Sequence, residues 1–248
     1  MTDFQPDMYE HGGPRPSRAA GAKPGATEPQ RLNRRLFMQL QVFAGAADIA
    51  PLSAGLEAAG LPGVLYLDLQ DAHSVGLLSW SDDPEYFATR LRACLQGPAW
   101  TGLQPRREFS LFGRTYALGH EPDLEDWLLR HPVRAALAEE HAWAVWYPLR
   151  RKGAFSALPA EEQTAILREH GRIGHAFGAA GLAQDIRLAC FGLDRADNDF
   201  IIGLAGRELH PLSACVQAMR KTRQTSQYIA SMGPFFIGRA AWRSAGRS

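Results

Sequence analysis

The stretch that decides the fold is "WAVWYPLRRKGAFSALPAEEQTAILREHGRIGHAFG", residues 143–178. It begins as an apolar run rich in aromatic and β-branched residues, which predicts a buried strand. A basic turn then leads to Pro159 and two glutamates, which are typical of the first turn of a long helix. That helix accepts Gly171, Gly174 and Gly178, although each glycine costs about 1 kcal/mol relative to alanine. The glycines therefore need an explanation.

The same order of elements occurs twice along the chain. Residues 141–248 contain a strand, the long helix, two strands joined by a turn, another helix and a last strand. Residues 32–120 show the same β-α-β-β-α-β order, and a connector at 121–140 with a short helix near 124–129 separates the two units. We therefore predict an α+β protein with duplicated ferredoxin-like repeats, which form a dimeric α+β barrel within one chain with the helices outside.

Composition limits the class of function. The chain has 248 residues, 46% of them apolar and 21% charged, and a net charge of +1, so nothing indicates a nucleic-acid partner. The three cysteines are widely spaced, which predicts free thiols rather than a zinc or dithiol site. Residues 1–31 are rich in proline and glycine and predict a disordered or extended arm. We expect no membrane span, because no apolar run approaches the ~20 residues needed, and a cytoplasmic location, because the N-terminus has no secretory pattern.

One histidine of the long helix is a candidate ligand. Residues four apart share a helix face, so His170 lies in line with Gly174 and Gly178, whereas His175 points elsewhere. A face without side chains beside an imidazole suits a flat, apolar ligand such as haem, with His170 on the iron. The alternative is that the glycines allow close packing of the helix and that His170 is an ordinary buried histidine.

Three further groups of polar residues could carry chemistry. Tyr147 ends a strand that runs into the basic turn at 150–152, where cations suit carboxylates, although the turn could simply be solvated. Asp185 and Arg187 share one face of a strand and could handle peroxide, or form a surface ion pair. Arg220 and Ser226 are candidate anion contacts, or polar residues at a helix end.

These segments together resemble the chlorite dismutase-like superfamily of haem proteins, which includes the coproheme decarboxylases. The residues that carry the resemblance are "WYPLRRKG", "LREHGRIG", "DIRLACFGLD" and "GPFFIGR", within residues 141–242. The first half matches mainly through the order of its elements and "FGRTYALG". The resemblance implies haem b or iron coproporphyrin III as cofactor, hydrogen peroxide as oxidant and a homopentamer.

The resemblance also implies roles for individual residues. His170 falls on the iron ligand, with Gly174 under the porphyrin, and Tyr147 falls on the tyrosine whose radical takes hydrogen from a propionate before carbon dioxide leaves. Arg151, Arg220 and Ser226 fall on propionate contacts. Arg134, in the connector, is a further candidate contact.

The sequence departs from the family pattern on the opposite side of the porphyrin. Chlorite dismutases carry an arginine there and these decarboxylases a glutamine, whereas this chain has Asp185, with Arg187 two residues on. Chlorite dismutation is therefore disfavoured, and Asp185 could act as an acid-base group, as in dye-decolourising peroxidases. Thr222 or Gln224 stands near the place of the glutamate that bonds the ligand histidine in chlorite dismutases. Coproheme decarboxylation is the preferred hypothesis; a general haem b peroxidase and a non-enzymatic haem-binding or sensor protein are the alternatives.

Overall fold

The structure is a computed structural model that describes residues 5–17, 25 and 27–245. The strands are β1 Glu10–Pro16, β2 Thr27–Leu32, β3 Phe37–Ala44, β4 Gly63–Asp68, β5 Ser74–Ser81, β6 Gln104–Thr115, β7 Trp143–Arg151, β8 Gln184–Ala189, β9 Phe200–Gly206, β10 Ile229–Met232 and β11 Phe236–Arg243. The helices are α1 Ala50–Ala58, α2 Arg92–Leu95, α3 His131–Leu137, α4 Gly153–Ser156, α5 Ala160–Ala179, α6 Leu209–Arg220 and α7 Arg223–Tyr228. Two π-helical turns, Phe87–Leu91 and Asp126–Arg130, lead directly into α2 and α3.

Eight strands close into an antiparallel barrel. Their order is β7-β11-β4-β5-β3-β6-β8-β9, and β9 pairs back onto β7. Within each repeat the strands stand in the order second, third, first and fourth, as in a ferredoxin-like sheet. The fourth strand of each repeat pairs with the second strand of the other, because β6 joins β8 and β11 joins β4. The predicted α+β fold with two ferredoxin-like repeats is confirmed.

Side chains along each strand point alternately into the barrel interior and outward into one of two layers beneath the helices. Trp146 and Phe236, 1% and 0% exposed, fill the interior. They fit because Gly203 and Gly76 face them: a Cβ on either glycine would lie 2.6 or 2.5 Å from the facing ring. Large rings opposite glycines let the facing strands of the barrel pack to the density of a protein interior.

The two outer layers of helices differ in how completely they are closed. The layer of the first repeat joins α1 and the helical segment at 87–95 to the strands of that repeat, and just over half of its apolar members are buried. In the layer of the second repeat, under α5 and α6, most apolar members are only partly buried, among them Phe177, Ile202, Met219 and Phe235. The incompletely closed apolar layer therefore lies beside the 20-residue helix α5.

The described part of the N-terminal arm is extended, and it contains a hairpin that the sequence did not predict. β1 and β2 form an antiparallel hairpin, so the described part of the arm is ordered by strand pairing. The amide of Gln30 fixes this hairpin to the connector, because its Nε2 donates to the carbonyls of Gly13, Glu121 and Pro122 at 2.7, 2.9 and 3.0 Å. Residues 1–4, 18–24 and 26 lie outside the described part of the chain.

Two further differences concern the C-terminal half. The helix predicted across 210–229 is two helices, because α6 ends at Arg220 and Thr222 caps α7 by accepting from the backbone N–H of Thr225. The short strand β10, which the sequence did not predict, then pairs with the end of β7. Within the described residues, the helices are too short or too polar to cross a bilayer.

Candidate functional site

The candidate site lies on the helix-facing side of the strands of the second repeat. Strand pairing places Arg187 opposite Ile202 and Ile202 opposite Tyr147, so these three residues, here called the Tyr147 row, cross β8, β9 and β7 side by side. Ile186 and Leu188, the neighbours of Arg187, belong to the barrel interior. Because strand side chains alternate between the two faces, Arg187 must point outward, towards the helices.

His170 of α5 reaches this side of the molecule as a neutral imidazole. Burial, and after it the positive charges of Arg151 and Arg187, lower the pKa of His170 to about 4, against the opposing charge of Glu169. Its Nδ1 lies 3.0 Å from the hydroxyl of Thr222. Of Thr222 and Gln224, the two residues that the sequence offered as partners of His170, Thr222 is therefore the one in contact.

Arg151 is a partly buried cation without a carboxylate partner. Its guanidinium carbon lies 4.4 Å and 4.7 Å from the ring centroids of Phe155 and Phe200, and its Nε is buried without a hydrogen-bond partner. No carboxylate lies within ion-pair distance of it in the part of the chain that the structure describes. Burial accordingly lowers the pKa of Arg151, which the charge of Asp199 only partly offsets. A partly buried guanidinium without a carboxylate partner favours an anionic ligand.

The other cations of the basic turn point elsewhere. Arg150 is exposed and pairs with Asp197, and the Nζ of Lys152 donates to the carbonyl of Gln227 at 2.8 Å. Of the three, only Arg151 contributes its charge to the environment of His170.

Tyr147 is buried in the apolar layer, 4% exposed, with its ring stacked on Phe235 at 4.6 Å. Burial raises its pKa above the usual range, and the nearby charges of Asp185 and Arg220 act on it in opposite directions. The guanidinium of Arg220 lies 5.8 Å from the Phe235 ring and has no carboxylate partner among the described residues. Arg220 and Tyr147 thus flank one aromatic ring, as expected for residues that meet the same ligand group.

Asp185 and Arg187 form an ion pair at the edge of the site. The Nε of Arg187 lies 2.9 Å from Oδ2 of Asp185, but the groups are not aligned for a hydrogen bond. The Arg187 guanidinium also lies 4.5 Å from the Trp127 ring, which stacks on His131 at 4.8 Å. The pair predicted by strand alternation is present, and it is Arg187 whose charge acts on His170.

The structure gives Gly174 a neighbour within the protein. A Cβ there would lie 3.3 Å from the terminal methyl of Met219 on α6, whereas a Cβ on Gly171 would meet nothing within 4 Å. The close helix packing that the sequence left open therefore accounts for Gly174 in this structure. Because a methionine end is flexible, a role under a porphyrin stays a proposal.

Two predicted contacts are engaged elsewhere. The guanidinium of Arg134 makes two hydrogen bonds to the carboxylate of Asp126, at 2.5 and 2.8 Å, on the exposed side of the connector. Ser226 donates its hydroxyl proton to the backbone carbonyl of Thr222 at 2.9 Å. The structure thus brings together His170, Tyr147, Arg151, Arg187 and Arg220, and leaves Arg134 with a partner of its own.

The sequence did not single out Tyr116, which follows β6. Burial raises its pKa, and the charges of Arg187 and Arg151 act against that shift, so its phenol lies near both cations. The signal was present in "FGRTYALG", but only strand pairing shows that β6 runs beside β8. Trp127 was missed for the same reason, because its contact with Arg187 joins two distant segments.

The residues present fit an iron porphyrin. A haem iron needs one axial ligand from the protein, and the neutral imidazole of His170 can supply it. The partly buried apolar layer matches the macrocycle, and the guanidinium groups of Arg151, with its buried and unbonded Nε, and of the exposed Arg220 match carboxylate substituents.

Comparisons with known proteins agree with this assignment of the fold. The chlorite dismutase from Candidatus Nitrospira defluvii, in complex with imidazole, has 16% identity and a TM-score of 0.66, over 85% of this chain and 92% of that one. A haem-binding protein from Thermus thermophilus has 17% identity and a TM-score of 0.63, over 84% and 91%. No curated protein sequence matches the chain.

The family model described as chlorite dismutase matches residues 115–241, just over half of the chain. The match contains every predicted site residue and all strands and helices of the second repeat up to the middle of β11. The chain therefore belongs to the chlorite dismutase family.

Proposed function

We propose that the protein is a haem-dependent oxidoreductase that uses hydrogen peroxide, and specifically a coproheme decarboxylase of haem b biosynthesis. One observation carries the proposal: the guanidinium of Arg151, whose Nε is buried without a hydrogen-bond partner, is close enough to His170 for its charge to help keep the imidazole neutral. A porphyrin with carboxylate substituents satisfies both groups at once. When bound, the iron supplies the centre at which peroxide is reduced.

The chain's own residues have separate parts in this proposal. His170 offers a ring nitrogen to the iron, while Arg151 and Arg220 hold propionates by charge-assisted hydrogen bonds. Tyr147 takes a hydrogen atom from the reacting propionate, because its phenol is an oxidisable group close to the charge of Arg220. Each turnover converts one propionic side chain and one hydrogen peroxide into a vinyl group, one carbon dioxide and two waters, so atoms and electrons balance.

The test is turnover of ferric coproporphyrin III by the purified protein with peroxide, followed by mass spectrometry. We expect loss of two carboxyl groups with the wild type and none with Tyr147→Phe. Tyr86→Phe is the matched control, because Tyr86 is another buried tyrosine, 5% exposed, in the first repeat. Conversion by Tyr147→Phe at the wild-type rate would contradict the role of Tyr147.

A general haem b peroxidase is the second candidate, and the Asp185–Arg187 pair favours it. A carboxylate beside a guanidinium can take a proton from peroxide and stabilise the developing charge. This candidate predicts rapid oxidation of a phenol or dye that Asp185→Ala abolishes and Tyr147→Phe preserves. Arg187 faces the helices and is two residues from the place where chlorite dismutases carry their arginine, so chlorite turnover is a necessary control. Vigorous oxygen release would assign the dismutase reaction instead.

One outcome would support a non-enzymatic protein. A porphyrin spectrum that depends on His170, in a protein that shows no turnover, would indicate a carrier or sensor.

A homopentamer in the cytoplasm stays a prediction from the family resemblance. Light scattering after size-exclusion chromatography tests the number of subunits.

A further inference from the structure

The hydroxyl of Thr222 lies at the junction of three helices. Thr222 is 2% exposed and follows the end of α6, where it caps α7. Its Oγ1 lies 3.0 Å from Nδ1 of His170 on α5 and 2.7 Å from the carbonyl oxygen of Met219 on α6. A single buried oxygen therefore contacts all three helices.

Counting protons at this oxygen fixes the protonation of the imidazole. The carbonyl of Met219 can only accept, so the close 2.7 Å contact requires the one hydroxyl proton of Thr222. With that proton committed, the hydroxyl can only accept from His170. The contact at 3.0 Å is then a hydrogen bond only if Nδ1 carries the ring proton. The lone pair of the neutral ring is left on Nε2.

We propose that Thr222 is a positioning residue that holds His170 as the Nδ1–H tautomer and so presents Nε2 to the iron. This proposal rests on the porphyrin ligation proposed above. It assigns Thr222 a role beyond capping α7, because the same oxygen serves the cap and the imidazole. Partners of this kind orient a metal-binding histidine and set its basicity.

The partner of the imidazole is a neutral hydroxyl in this chain. The nearest carboxylate along the helix, Glu169, is exposed and accepts instead from the backbone N–H of Arg223, with both oxygens 3.4 Å away. A hydroxyl acceptor draws the Nδ1 proton less strongly than a carboxylate would. His170 therefore acts as an imidazole rather than an imidazolate-like ligand, which weakens stabilisation of the ferric state.

The direct test uses the protein without porphyrin. Histidine labelled with ¹⁵N shows in two-bond ¹H–¹⁵N correlation spectra which ring nitrogen carries the proton. We expect the Nδ1–H pattern for His170 in the wild type and in Thr222→Ser, which keeps the hydroxyl. Thr222→Val, of similar shape, should lose that pattern. Thr164→Val is the control, because its hydroxyl bonds only within α5.

The wild-type spectrum alone can overturn the proposal. An Nε2–H pattern for His170 in the folded wild type would do so, whether or not Thr222→Val folds. An unchanged Nδ1–H pattern in a folded Thr222→Val protein would also overturn it, since another group would then hold the ring.

Porphyrin binding separates this proposal from the proposed function. With ferric haem and ferric coproporphyrin III as probes, we expect Thr222→Val to weaken affinity by about 10- to 100-fold, as removal of such partners usually does. Thr222→Glu should raise the iron–histidine stretching frequency of the ferrous form. Failure of the wild type to bind either porphyrin would defeat the proposed function but leave the tautomer result intact. Binding with no effect of Thr222→Val on affinity or spectrum would defeat only the role of Thr222 toward iron.

Discussion

The charges around His170 serve two purposes at the scale of single residues. Arg151 and Arg187 help to hold its pKa near 4, so the imidazole is unprotonated at neutral pH and able to bind a metal. The same guanidinium groups attract anions, and Arg151 has no carboxylate of its own in the described chain. A ligand that combines a metal with carboxylates uses both properties.

Burial also determines the reactivity of the cysteines. It raises the pKa of Cys190 to about 12 and that of Cys215 to about 11, so both remain thiols at pH 8. We expect iodoacetamide to modify the half-buried Cys94 first and to leave the other two intact while the protein is folded. Peptide mass spectrometry of a time course checks this. Equal labelling of all three sites in the native protein would show that the two deep thiols are accessible.

Two glycines that look alike in the sequence should respond oppositely to alanine. Gly203→Ala would place a Cβ 2.6 Å from the Trp146 ring, and overpacking of this kind costs about 1–3 kcal/mol of unfolding free energy. Gly171→Ala meets nothing within 4 Å on a helix and should raise the unfolding free energy by up to about 1 kcal/mol. Urea unfolding of both variants measures the difference. If Gly203→Ala proved as stable as the wild type, the barrel interior would be looser than described.

At the scale of elements, the N-terminal hairpin depends on one amide. Besides its three donated bonds, Gln30 accepts from the backbone N–H of Leu124 at 2.9 Å, and the residue is 5% exposed. Gln30→Met keeps the length of the side chain but leaves these groups unpaired, which costs about 1–3 kcal/mol. Hydrogen exchange should accelerate at Gly13 and Leu124. The control is Gln70→Met, at an exposed position, and similar exchange in both variants would argue against the clamp.

The sequence predicted strands and long helices well because their patterns are local. The alternation of β3 and the apolar run of β7 mark strands without knowledge of their partners. The hairpin was missed because its proline- and glycine-rich residues are ordered by contacts with the connector, more than 90 residues away. The break between α6 and α7 depends on Thr222, whose capping role shows only once its hydroxyl is placed.

At the scale of the whole molecule, the site depends on strand pairing between distant segments. The Tyr147 row joins three strands, and Tyr116 comes from the first repeat. The sequence supplied the residue types for iron and carboxylates, with His170 marked by its helix face. It could not decide whether Asp185 or Arg187 faces the ligand, because that depends on the position of each charged group relative to α5. Arg134 shows the same limit, since its pairing with Asp126 was not visible in the connector sequence.

Ligation of a porphyrin iron by His170 is the central claim, and an absorbance titration tests it most directly. Wild-type protein should bind ferric haem or ferric coproporphyrin III with a sharp Soret band that saturates at one porphyrin per chain. His170→Ala should lose this band, whereas His175→Ala, an exposed histidine on the same helix, should keep it. A flat titration of the wild type, or the same band in His170→Ala, would contradict the account.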